Sequence, residues 1–131
     1  MTTVAPRPDP YRIALFYYEI GLAVLMLGLG LREWGVIIGV GTHAFDTMDA
    51  NEKVATMGLA VADLVAAVGL WMRVAWGRVI FIAAAVAEIA LHTVFIATYG
   101  SRWPVVVLHT AALAAYALLA VLARRRPANS A

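Results

Sequence analysis

The sequence contains no cysteine. Structural disulfides, thiol redox chemistry, iron–sulfur clusters and thiolate-bound zinc are therefore excluded. Charge is also scarce. Asp, Glu, Lys and Arg make up 14% of the 131 residues, where soluble domains carry about a quarter. The net charge is only +2, so there is no basic surface suited to nucleic acid. No phosphate-binding loop, nucleophile elbow, zinc-protease helix or dinucleotide fingerprint is present. An enzyme acting on a lipid or quinone, with Glu88 and His92 as acid and base, is the less expected reading because no nucleophile or cofactor motif supports it. No cofactor is expected.

What the chain has instead is apolar length. Hydrophobic residues account for 63% of it, and its mean hydropathy is +0.84. The expected fold is an all-α integral membrane four-helix bundle. The first ten residues carry Pro6, Pro8 and Pro10 and cannot be helical throughout. They read as a disordered cytoplasmic N-terminus. No signal-peptide cleavage site is recognisable, and the apolar run that follows reads as the first spanning helix.

Four apolar runs follow within residues 11–123. The first extends from about Tyr11 to Leu31, and about 20 residues at ~1.5 Å rise cross a ~30 Å hydrocarbon core. Trp34 to Gly41 is too short to cross. Fusing it to the first helix gives ~46 Å, so it reads as a short interfacial segment loosened by Gly35, Gly39 and Gly41. Asp49 and Glu52 have the spacing of a capping box at the start of the second helix. That helix ends near Met72. The third spans about Gly77 to Tyr99, and the fourth about Pro104 to Ala123. Residues 124–131 read as a disordered basic tail. Alanines at 83, 87, 90 and 97, and at 111, 112, 115 and 120, predict close packing of the third and fourth helices.

Arginine placement sets the expected orientation. Arg7, Arg12, Arg73, Arg78, Arg124, Arg125 and Arg126 fall on one side; Arg32, Lys53 and Arg102 fall on the other. Seven against three places both termini in the cytoplasm of an inner-membrane, multi-pass protein.

Five ionisable groups lie inside these runs: Glu19, Asp63, Glu88, His92 and His109. Charged groups facing lipid are costly, so they are expected to turn inward and form one buried polar cluster. Glu88 and His92 share one helix face, four residues apart. Three carboxylates in low dielectric cannot all be ionised without cations. At least one is expected to be protonated near neutral pH, or paired with His92 or His109. Whether the cluster holds a metal, moves protons or binds a ligand stays open. Di-iron bundles use Glu-x-x-His, whereas here the spacing is Glu-x-x-x-His and occurs once.

From Gly58 to Leu70 the second helix carries Asp63 among small residues, followed by Trp71-Met72-Arg73 and an alanine-rich third helix. In this third of the chain the sequence resembles the DoxX-like group of small four-helix membrane proteins. The resemblance implies a four-helix bundle that is often an accessory component, and it carries no catalytic role. The functional expectation is an accessory or structural subunit of a membrane assembly. The alternative is a proton-coupled or ligand-binding transporter-like protein working as an oligomer. The expected partners are the lipid bilayer and either further copies of the chain or a larger membrane complex.

Overall fold

A computed structural model describes residues 9–40 and 45–125. Residues 1–8 and 126–131 of the stretches expected to be disordered, and His43, which the sequence places in the polar segment before the second helix, lie outside the described residues. The chain folds as α1 (Pro10–Ile37), a 3-10 turn (Phe45–Thr47), α2 (Ala50–Trp71), α3 (Ala75–Thr93), a short α4 (Ile96–Tyr99) and α5 (Trp103–Arg125). The all-α four-helix architecture is the one the sequence predicts. Four of these helices are long and apolar enough to cross a membrane. They pack in a ring, α1 against α2 and α5, and α3 against α2 and α5.

The helix ends follow from local chemistry. Asp9 caps α1 by accepting the Tyr11 amide at 3.0 Å, and Pro10 occupies the first helical position. Asp49 and Glu52 form the predicted capping box, with bonds of 2.8 and 3.2 Å.

Three features differ from the expectation. First, α1 does not break at Leu31. Its 28 residues continue to Ile37, so the stretch from Trp34 supplies its last turn instead of a separate interfacial segment. It ends in a Schellman cap: Gly39 donates to the Val36 carbonyl and Val40 to that of Gly35. Gly39 has φ +85°, the left-handed conformation this cap requires. The excess length is absorbed at the other end. Glu19 bonds to Arg73 in the α2–α3 turn and to Arg78 in the first turn of α3, so roughly two turns of α1 project past that turn.

Second, α3 stops at Thr93. The Phe95 amide bonds to Ala90, one residue too far back for an α-helix. The Thr93 hydroxyl takes the Ile89 carbonyl at 2.6 Å, a pattern that bends helices. The chain then turns through α4 to Gly100, at φ +71°.

Third, the closest helix approach is between α2 and α3. A Cβ on Gly69 or on Gly77 would run into the other residue's backbone. Ala83, Ala87, Ala97 and Ala111 are exposed. Of the alanines singled out, Ala112 is buried; the other buried alanines are Ala23 on α1, Ala60, Ala66 and Ala67 on α2, Ala84 and Ala85 on α3, and Ala123 on α5. Identical alanine density on two sides of a helix gave the sequence no means of choosing the inward one.

Leu22, Met26, Leu70, Phe81, Ala85 and Ala112 centre the apolar core. Large apolar side chains such as Val24, Leu31, Val68, Val86 and Leu118 point outward, as suits a lipid-facing surface.

The α2–α3 contact yields a prediction. Gly77→Val should destabilise the fold by about 2–3 kcal/mol or prevent it. Gly58→Ala, where a Cβ meets open space, should leave stability unchanged or slightly raised. Thermal unfolding in detergent, followed by circular dichroism, checks both.

Candidate functional site

One face of α1 carries Glu19, Leu22, Ala23, Met26, Gly30 and Glu33, all buried. These spacings of three and four residues follow the helical period. The face therefore presents a carboxylate, an apolar patch and a second carboxylate in vertical order. The other helices match that order.

At the α2–α3 end, Glu19 is 1% exposed. Its Oε1 accepts from Arg78 Nε at 2.8 Å, and Oε2 from Arg73 Nε at 3.5 Å. The Arg73 guanidinium also lies over the Phe16 ring, 4.6 Å from its centroid. Arg73 has φ +58° and occupies the left-handed position of another Schellman cap, where glycine is usual. This tie joins α1 to both α2 and α3.

Above it lies the apolar core. Beyond that, toward the α4 end, is the second polar group. Asp63 is fully buried, and neither of its carboxyl oxygens has a hydrogen-bond partner among the described residues. Gly30 faces it: a Cβ there would sit 3.2 Å from Asp63 Cβ and 2.9 Å from the Leu64 side chain. Counted along the helices from the Gly69–Gly77 contact, Asp63 stands ~9 Å and Glu88 ~17 Å toward the α4 end. Asp63, Glu33 and Glu88 are close enough for their charges to interact.

Glu88 Oε2 lies 3.3 Å from His92 Nε2. His92 Nδ1 lies 3.1 Å from the Gly100 carbonyl oxygen. A carbonyl only accepts, so Nδ1 carries its hydrogen. The α3 break thus supplies the carbonyl that orients the His92 ring beside Glu88. Glu33, paired with Arg32 at 3.2 Å, joins Glu52, Glu88, His92, Tyr99 and Arg102 around a cavity of about 60 Å³.

His109 is 1% exposed. Its Nδ1 donates to the Val105 carbonyl at 2.9 Å, while Nε2 has no partner among the described residues. It does not line that cavity. It stands one turn from Ala112, whose carbonyl accepts from the Tyr18 hydroxyl at 2.8 Å.

The five predicted residues are thus all buried, but not in one cluster. Glu88 and His92 are joined, and Asp63 is near them. Glu19 is on the far side of the apolar core with two arginines, and His109 bonds only its own helix. Among the described residues, no three His, Asp or Glu side chains converge to hold a metal ion. Sequence reasoning missed Glu33, because it ended the first helix at Leu31. The signal was present: Glu33 continues the spacing of Glu19, Met26 and Gly30. It also treated Arg73 and Arg78 only as markers of orientation.

Removing Arg78 should leave the buried Glu19 carboxylate with only a distant partner. Arg78→Gln is expected to destabilise the protein by about 2–3 kcal/mol. Adding Glu19→Gln should recover much of that loss. Unfolding midpoints of the single and double variants in detergent measure the difference.

No curated protein and no solved structure matches the chain. A family described as one of unknown function, DUF6163, matches over residues 13–127. The match takes in all four long helices and both polar groups, and the chain belongs to the DUF6163 family.

Proposed function

We propose that this small membrane protein is a multi-pass accessory or structural subunit of an inner-membrane assembly. It does not move a solute by itself. The observation that carries this reading is the apolar layer between the two polar groups. Leu22, Met26, Leu70, Phe81 and Ala85 fill the bundle between Glu19 and Asp63. A cavity of about 60 Å³ lies beside Glu88, on the α4 side of that layer.

The arginine distribution supports an orientation with both termini cytoplasmic. The Glu19–Arg73–Arg78 tie then lies on the cytoplasmic side, and the Glu88–His92 pair opens outward. Exposed apolar side chains surround the bundle, and they offer surface to lipid, to further copies of the chain or to a larger complex.

A second reading has its own observation. A purely structural network satisfies its polar groups, yet Asp63 has two buried oxygens without partners. Toward the α4 end is the Glu88–His92 pair. This favours a proton-exchanging or small-ligand site reached from the outer side, which becomes a route only when an oligomer completes it.

Reconstitution separates the two. Liposomes holding the purified protein under a pH gradient are expected to leak protons no faster than empty ones. Cross-linking in native membranes should trap the chain in a larger assembly, and Glu88→Gln should leave that assembly intact. Proton flux well above the empty control, abolished by Asp63→Asn and Glu88→Gln in folded protein, contradicts the accessory reading and supports the second.

A further inference from the structure

The Glu19 tie forms one wall of a crevice of about 300 Å³ between α1 and α5, at the α2–α3 end. Four arginines line it: Arg12 from α1, Arg73 from the turn, Arg78 from α3 and Arg124 from α5. Glu19 is the one carboxylate among the lining residues. Four guanidiniums less one carboxylate leave three positive charges around one cavity.

Glu19 does not spread its charge over that surplus. It is buried, and it takes only the Nε donors of Arg73 and Arg78. Among the described residues, the terminal nitrogens of those two side chains form no hydrogen bond, and Arg12 and Arg124 pair with no carboxylate. Arg73 is held at φ +58°, where glycine would relax the backbone. Planar guanidinium forks suit phosphate oxygens, which they bind two at a time. The remaining lining is apolar: Leu15, Ala120 and Ala123, with Tyr116 beside them. The small alanines leave the gap between α1 and α5 open. A charged rim over an apolar floor suits a phosphate that carries hydrocarbon.

We propose that this crevice is a phosphate-binding site formed by Arg12, Arg73, Arg78 and Arg124, taking either the headgroup of an acidic phospholipid or a soluble phosphate. Glu19 is a positioning residue that holds Arg73 and Arg78 at its wall. The site is independent of the Asp63–Glu88–His92 group and of the accessory role.

The test uses the full chain in detergent, offered equal amounts of phosphatidylglycerol and phosphatidylcholine, with retained lipid counted by native mass spectrometry. The expected preference for phosphatidylglycerol is about tenfold, falling to about twofold or less in Arg12→Gln/Arg124→Gln. A parallel titration uses inorganic phosphate without lipid. Phosphate binding that requires both arginines, with no preference between the lipids, supports the site with a soluble source. Equal retention of the two lipids with no phosphate binding overturns the proposal. So does binding that the double variant leaves intact. Circular dichroism reports whether that variant folds. Should it not, Ala120→Leu fills the crevice from its apolar side, and unchanged binding in that variant also overturns the proposal.

Discussion

A carboxylate carried into a bilayer loses the water that would solvate it, and the protein has to supply a substitute. Glu19 shows the strongest form of that requirement here. It is buried on α1, and its charge is met by guanidiniums reaching in from the turn between α2 and α3. Because α1 is tied there and not at its own start, the long helix is set in register against the α2–α3 pair. Leu22 and Met26 then fall in the core, and Gly30 falls opposite Asp63. The close contact of Gly69 with Gly77 draws α2 and α3 together beneath that core.

The same requirement is met differently at the other end. Glu88 is answered by His92, and His92 by a backbone carbonyl that the break after Thr93 brings into reach. Asp63 is answered by nothing among the described residues. The bundle therefore holds one fully paired polar group and one incompletely paired group, with an apolar layer between them.

Much of this was legible in the chain. Helix number, the Asp49–Glu52 capping box and the burial of Glu19, Asp63, Glu88, His92 and His109 follow from apolar length and the cost of charge in lipid. Partnership was less legible, for physical reasons. Arg73 and Arg78 sit at a membrane-end turn where arginine is expected on topological grounds alone, so their grip on Glu19 had no separate signature. Glu33 lay past the length one bilayer needs, and only the projection of α1 beyond the α2–α3 turn makes room for it. The α3 break depends on backbone bonding around Ala90 and Phe95, which residue type does not announce. Inward and outward alanines are chemically identical, so only packing distinguishes Ala84 and Ala85 from Ala83 and Ala87.

The separation of the two polar groups is the claim on which the rest stands, and the absence of native cysteine makes it directly measurable. Single variants Leu59→Cys, Ala85→Cys and Ala120→Cys can be exposed to a membrane-impermeant maleimide from each side of sealed vesicles. The account predicts labelling of Leu59→Cys only from the α4 side, of Ala120→Cys only from the α2–α3 side, and of Ala85→Cys from neither. Labelling of Ala85→Cys, or of either other variant from both sides, would contradict it.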